Sequence, residues 1–285
     1  MTTLDHKIDF AVILTVNKAN PNGDPLNGNR PRQNYDGYGE ISDVAIKRKI
    51  RNRLQDMGES IFVQSSERKT DQFNSLRERA ESNPKLQEVI KSKNSSSDQY
   101  AEVACQQWID VRSFGQVFAF KGSGKGVSVG VRGPVTVQTA TSIAPIDITS
   151  IQITKSVNSE PGEKRGSDTM GMKHRVDFGV YRFNGSINTQ LAEKTGFTNE
   201  DSEKIKQALI SLFENDASAA RPEGSMEVYR LYWWEHSNKL GQYSAARVHR
   251  LLDIKPIKEN PKSMDDYEIV LADLEGLKSE VINGR

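Results

Sequence analysis

Apolar positions along this chain switch between two periods. Residues 8–16, IDFAVILTV, form a short, mainly apolar run rich in β-branched side chains, the pattern of a buried strand. From Ser42 the spacing turns helical: Ile46, Ile50, Leu54 and Met57 recur at i, i+4, i+8 and i+11, with Ser42 or Asp43 placed to cap the first turn. Residues 60–110 read as an insertion, with polar helical stretches at 71–80 and 84–91, a flexible link at 93–99 and an amphipathic helix over 100–111 ending near Trp108. Trp108 is expected in a core or subunit contact rather than as a base-stacking platform. Residues 116–120 and 127–131 predict two strands around KGSGKG at 121–126. Two further runs, Ile148, Ile151, Ile153 and Val157, then Val176, Phe178, Val180, Tyr181, Phe183 and Ile187, are rich in β-branched and aromatic residues and predict strands. A helix over 199–214 follows, capped by Asn199 with Ile205, Leu209 and Leu212 on one face. Residues 226–234, MEVYRLYWW, predict a strong strand in which Trp233 and Trp234 point to opposite faces, so at least one is core. A last short strand is expected at 267–271, and the acidic tail beyond it carries no signal.

The order strand, basic helix, strands, helix, strand is a βαββαβ pattern. It predicts an α+β, ferredoxin-like fold with long insertions, occupying residues 1–285 as one domain. The inserted pieces are about 60–110 and about 155–175.

Composition narrows the function. Thirty-nine basic and 38 acidic residues leave a formal net charge of +1, which argues against indiscriminate polyanion binding but leaves room for a local basic stripe. Hydrophobic content is 35% and mean hydropathy −0.64, as expected of a soluble, modest core decorated by surface insertions. The single cysteine, Cys105, excludes an internal disulfide and suits a reducing compartment. MTTLDHKIDF has no apolar signal core and no run approaches a membrane span, so a cytoplasmic protein is expected.

Three stretches carry candidate chemistry. Residues 17–42, dense in Asn, Gly and Pro, follow the first strand and are expected to expose backbone N–H groups beside Lys18, Asn20, Arg30 and Arg32. The helix after them carries Lys47, Arg48, Lys49, Arg51 and Arg53 within seven positions and no acid among them. Lys47, Arg48 and Arg51 share one flank of its apolar seam, Lys49 and Arg53 the other. A face that merely meets water mixes its signs, so the first flank is a candidate phosphate track. Residues 155–175 are too long for a tight hairpin and carry Lys155, Lys164, Arg165, Lys173 and Arg175 against Glu160, Glu163 and Asp168, which suggests a projecting basic arm. Met170 and Met172 are its long apolar side chains, able to wedge beside an unstacked base whatever its identity.

Other motifs fail their own tests. KGSGKG lacks the spacer and Lys-Ser/Thr pair of a P-loop and reads as a mobile basic tip. Residues 112–118, RSFGQVF, miss the later aromatic positions of the RNA-recognition signature. His6, His174, His236 and His249 sit in no pattern that names a partner.

Taken together, NPNGDP at 20–25, ISDVAIKRKIR at 41–51, VRGPV at 131–135, IAPID at 143–147 and KHRVDFG at 173–179 resemble the backbone subunit, of the RAMP superfamily, of CRISPR surveillance complexes, most closely that of type I-C Cascade. The resemblance runs from about residue 8 to about 249. It implies a modified RRM-like domain shaped like a hand. Several copies would line one guide RNA (crRNA) as a helical filament and present it to target DNA beside other Cascade subunits. A thumb from each copy, here residues 155–175, would fold over the guide and flip out a base, with Met170 or Met172 as wedge. RNA contacts would come from Lys18, Asn20, Arg30, Arg32, Ser42, Lys47, Arg48, Arg51, Lys173 and Arg175. No cofactor, metal or catalytic residue is implied. Relatives in type III complexes cleave RNA with an aspartate in the loop after the first strand; Asp24 and Asp36 lie in that loop, within a different surrounding pattern. The competing readings are an RNA-processing or target-RNA-cleaving endonuclease of the same superfamily, and an assembly protein that binds no nucleic acid.

Overall fold

The computed structural model describes residues 2–92, 96–120, 127–158, 161 and 170–285. The chain starts with β1 (Ile8–Ala19) and makes three short strands, β2 (Gly23–Asp24), β3 (Arg30–Pro31) and β4 (Tyr38–Ile41), before α1 (Asp43–Asp56). Helices α2 (Leu76–Glu81), α3 (Pro84–Lys91), α4 (Ser97–Gln107) and α5 (Ile109–Phe114) follow, then β5 (Gly115–Phe120), β6 (Val127–Arg132), β7 (Val135–Val137) and β8 (Ala140–Pro145). Next come β9 (Ile148–Thr154), the long β10 (Met170–Ile187), α6 (Thr189–Thr195), α7 (Asn199–Ile210) and β11 (Met226–Glu235). The chain closes with α8 (Ala245–His249), β12 (Leu252–Pro256), β13 (Tyr267–Leu271) and β14 (Ser279–Asn283).

A large antiparallel sheet runs β14-β11-β1-β10-β8-β4, and β7 and β9 also pair with β10. β1 lies between β10, in the register Ile8↔Ile187, and β11, in the register Ile8↔Glu235. Its alternate side chains enter two different cores. Phe10, Val12 and Leu14 pack with Ile46, Ile50 and Leu54 of α1, Ile205 and Leu209 of α7, and Trp233. Ala11 and Ile13 pack with Tyr232 and Trp234 under Val248 of α8, Ile254 of β12 and Tyr267 of β13. This double burial is why residues 10–14 are apolar without alternation. Both tryptophans are core, one on each face. At Gly185 of β10 the Phe10 ring crosses so closely that an added Cβ would fall 2.1 Å from it.

The inserted block has its own small core, in which Phe62 packs against Trp108 and Phe118 with ring centroids 4.7 and 5.0 Å apart. Trp108 is 5% exposed, a core residue as expected. Buried ion pairs fasten this block to the sheet domain. Asp110, fully buried, accepts from Arg51 Nε at 3.0 Å and from the N–H groups of Phe62 and Val63 at 2.7 and 3.0 Å. Arg112 grips Asp201 of α7 with two bonds of 2.9 and 2.7 Å. That arginine opens the RSFGQVF stretch.

Several boundaries differ from the sequence reading. The helix expected at 71–80 starts only at Leu76, because the Asp71 carboxylate takes the Phe73 N–H and the Arg79 guanidinium, closing a turn instead. The helix expected over 100–111 breaks at Trp108, whose extended backbone separates α4 from α5. α7 is capped by Thr198, in a reciprocal pair with Asp201, and ends at Ile210. Met57 lies at the C-terminal cap of α1, 37% exposed, outside the apolar seam. The tail read as uninformative contains β14, which pairs with β11 and extends the sheet. The basic tip at 121–126 lies outside the described residues.

Candidate nucleic-acid interface

The segment after β1 is a tightly bonded structure. Asp24 caps the turn after it by accepting from the Leu26 N–H at 3.2 Å, and its carbonyl accepts from Asn29 N at 2.8 Å. β2 and β3 pair there, Gly23 opposite Pro31. Gly23 is required because Asn29 packs against its Cα: an added Cβ would lie 2.0 Å from Asn29 Oδ1. Gly28 and Asn29 both adopt left-handed backbone, φ +57° and +60°. Asn22 Oδ1 accepts from Ser42 N at 2.9 Å, and Ser42 Oγ accepts from Ala45 N at 3.3 Å as the cap of α1. Several N–H groups expected to be open for a ligand are therefore spent inside the loop. Its cations lie outward to different degrees. Lys18 is exposed, with φ +53° at an irregularity in β1. Arg32 Nη2 reaches Asp24 Oδ1 at 3.4 Å while its Nε has no acceptor among the described residues. Leu26 and Tyr35 stand fully exposed on the same loop.

The arm begins as a two-stranded ribbon. β9 and the first part of β10 pair from Val176↔Ile148 out to Met170↔Thr154. Of the span 155–175 expected to be an arm, residues 170–175 are thus β-strand, and residues 159–160 and 162–169 lie outside the described ones. Ile151, Ile153, Met170 and Met172 are all exposed on the ribbon. Lys173 and Arg175 share one ribbon face with Ile151 and Ile153; Met170, Met172 and His174 share the other, since partners across a ladder point to the same side. Arg175 approaches Asp177 at 3.7 Å, and its Nε lacks a hydrogen-bond partner among the described residues.

The fold brings loop and ribbon together. Arg30 Nη1 donates to Ser150 Oγ at 3.0 Å, and that hydroxyl bonds His174 Nδ1 at 2.8 Å. A cavity of about 360 Å³ lies between them. Asn20, Gly28 and Asn29 line it from the loop, Ile153, Met172, Lys173 and His174, drawn from both faces of the ribbon, line it at the ribbon's edge, and Ala219 and Ala220 line the third side. Of the residues singled out in the sequence, Asn20, Arg30, Met172 and Lys173 are thus brought together here, with Lys18, Arg32 and Arg175 close to them along the chain.

The α1 cations are placed differently. Arg48 Nη1 donates to Val63 O at 2.6 Å, and Arg51 is held by Asp110 and stacks over the Phe114 ring at 4.9 Å. On the opposite flank Lys49 is buried against Asp216, and burial pushes its ammonium down to about 8. Arg53 bonds Ser211 at 3.1 Å and Glu214 at 3.2 Å. The two flanks of the helix thus clamp the inserted block on one side and the turn after α7 on the other. Lys47 pairs with Asp43 one turn away at 3.0 Å.

His174, Ser150, Asn29 and Tyr35 are the interface residues that sequence reasoning passed over. His174 and Asn29 each stand within or beside a stretch singled out above. The contact that ties loop to ribbon, Arg30 to Ser150, joins positions 120 residues apart, which no local spacing signals.

Residues 6–272 match the family described as CRISPR-associated protein Cas7. The chain is 25% identical over 295 residues to a CRISPR-associated protein Cas7 of Haloferax volcanii, an alignment covering 96% of this chain and 83% of that one. Among solved structures it is similar to a chain of a CRISPR RNA-guided surveillance complex in a pre-nicking state, with TM-score 0.49 and 16% identity over 80% of this chain and 78% of that one. A chain of a second CRISPR RNA-guided surveillance complex gives TM-score 0.43 and 17% identity, over 80% and 68% of the two chains.

Proposed function

Because the chain belongs to the CRISPR-associated Cas7 family, we propose that it is a non-catalytic, guide-RNA-binding backbone subunit of a type I-C surveillance complex. In this reading, copies assemble head to tail along crRNA in the cytoplasm, beside other subunits, and present the guide to target DNA. One observation carries it: a cation-bearing loop and a basic ribbon meet around a shared cavity, in a chain whose central sheet is covered on both faces. The spatial order β11-β1-β10-β8, with α1 and α7 packed on one face, supports an RRM-like βαββαβ core. Its other face, where bases could stack, lies under α8 and the β12–β13 hairpin. This cover supports the loop and ribbon as the RNA-facing side.

Guides of arbitrary sequence must be held through phosphate and sugar rather than base edges. Lys18, Arg30, Arg32, Lys173 and Arg175 are the phosphate contacts in this reading, and exposed Tyr35 is a stacking surface. Lys47 can join them by releasing Asp43. Arg48 and Arg51 would have to abandon internal bonds to do so. Reuse of one heterologous contact generates an open filament, and a net charge of +1 lets copies sit side by side without strong repulsion. Asp24 is occupied as a turn cap and by Arg32, which supports a structural role for the aspartate of this loop.

The test is co-expression of the tagged chain with a CRISPR array and its neighbouring genes. The expected product is one large particle with a nucleic-acid absorbance ratio and a protected guide. Recovery of the chain as an RNA-free species under those conditions would refute the proposal.

A further inference from the structure

The two faces of the ribbon differ in chemistry. Lys173 and Arg175 lie with Ile151 and Ile153 on one of them. The other carries Met170, Met172 and His174, and His174 pairs across the ladder with Ser150. Side chains two apart on a strand stand about 7 Å from each other, so His174 is the near neighbour of Met172. Arg30 Nη1 donates to Ser150 Oγ at 3.0 Å, and that hydroxyl bonds His174 Nδ1 at 2.8 Å. An arginine can only donate, so it fills a lone pair of the hydroxyl and polarises the O–H toward the next partner. Ser150 therefore donates to Nδ1, and a neutral ring that accepts at Nδ1 carries its proton on Nε2. A ring that gains a second proton keeps the one on Nε2. Turning the ring over would set Cδ2 against the hydroxyl and lose the bond. The bond to Ser150 is itself exposed. Nε2 has no partner among the described residues and, unlike the buried Nε2 of His6, is open to solvent.

We propose that His174 is a guide-backbone contact, its Nε2–H donating to a phosphate oxygen of the RNA on the methionine face of the ribbon, with Ser150 and Arg30 as positioning residues that hold the ring and its proton. The inference rests on the RNA-binding reading above and adds a contact to it. An N–H that points outward calls for an acceptor. Acceptors on base edges change with sequence, whereas phosphate oxygens recur at every step of an arbitrary guide. Lys173 and Arg175 serve the opposite face. Arg30 and His174 give the methionine face backbone donors of its own, beside the side chains able to wedge at a base. The His174 contact needs no charge on the ring. It therefore differs from the lysine and arginine contacts, which neutralise phosphates and release counterions.

The test uses the full-length chain and a labelled single-stranded RNA, with fluorescence anisotropy read across a salt series at pH about 8, where an ordinary histidine is neutral. His174→Ala should bind about three- to tenfold more weakly, the range of one hydrogen bond, with its salt slope unchanged. Loss of a cationic contact would instead lower the slope by about one. His174→Gln carries an N–H near the place of the ring Nε2 and should recover most of the loss. His174→Asn reaches only the place of Nδ1, so it can keep Ser150 but not the guide, and should bind like the alanine variant. A ring that merely braces Ser150 gives the reverse order, and that result overturns the proposal, as does wild-type affinity in folded His174→Ala. Melting curves establish that each variant folds. A second measurement needs no change at His174: nitrogen NMR of histidine-labelled wild type should show its proton on Nε2, and Ser150→Ala should mix the two tautomers. A wild-type proton on Nδ1, or a tautomer indifferent to Ser150→Ala, overturns the assignment. RNA binding that none of these variants moves overturns the contact and leaves the scaffold reading standing. Wild-type protein that binds no RNA overturns both.

Discussion

Arg51→Ala separates the two roles open to the basic helix. Arg51 Nε bonds Asp110 at 3.0 Å, and Asp110 is fully buried. Truncation leaves that carboxylate without its cation and removes the guanidinium from the Phe114 ring. Breaking a buried pair costs about 3–5 kcal/mol. Asp110 keeps two backbone N–H donors, at 2.7 and 3.0 Å, which places the expected loss near the low end, about 3 kcal/mol. For a chain of this size about 2–4 °C of melting temperature accompanies each kcal/mol, so Tm should fall by roughly 6–12 °C. Calorimetry or a dye-based melt reads this directly. In parallel, RNA affinity is measured against salt well below the melting point. A strut leaves the salt slope unchanged, whereas a lost phosphate contact lowers it by about one. Asp110→Ala and the double variant complete a cycle in which the double loss should be clearly smaller than the sum of the single ones. Wild-type Tm combined with a reduced salt slope would refute the strut assignment and return Arg51 to the RNA.

Other outcomes follow from single sites. His249 is buried with Nε2 against Gly185 O at 3.0 Å, and burial holds its pKa below the ordinary 6.5; the unfolded chain therefore gains the proton first, so stability should be full above that value and fall as pH drops below it. Urea midpoints across neutral to mildly acidic pH should show this loss, and His249→Gln should flatten that part of the profile. Burial pushes the Cys105 thiol up to about 12, so a thiol reagent should label it only after denaturation; rapid labelling of native protein would contradict the packing. Met170 and Met172 are 62% and 54% exposed, so replacing both by Ala should change stability by less than about 0.5 kcal/mol. If either wedges the guide, chemical probing of the assembled particle should lose its regular pattern of flipped bases. Purified protein with magnesium or manganese should leave RNA and DNA intact; cutting abolished by Asp24→Ala would place the chain among nucleases.

The central strands and the helix after the loop were legible because their signals are local. An apolar run, a helical seam and a capping serine each act within a few residues, and β1, α1, β10 and β11 stand where those signals lie. Errors arose where a side chain competed with the backbone, as Asp71 does before α2, or where a long apolar pattern hid a break, as at Trp108. β14 was missed because an edge strand needs little burial of its own and takes its register from β11.

The candidate site divides along the same line. Sequence alone marked the loop after β1, the ribbon cations and the two methionines, since turn chemistry and charge are written into residue type. It also marked five cations on α1, but their use depends on what the fold sets opposite them. Asp110 lies 59 residues from Arg51 and Asp216 lies 167 from Lys49. Only tertiary packing decides whether such a cation meets a buried carboxylate or a phosphate. The same holds for the cavity: Asn20, Met172 and Ala220 become its walls because β1 pairs with β10 and the turn before β11 folds back on the end of β1. Residue type sets which interactions a side chain can make, and the long-range strand pairing sets which partner is within reach.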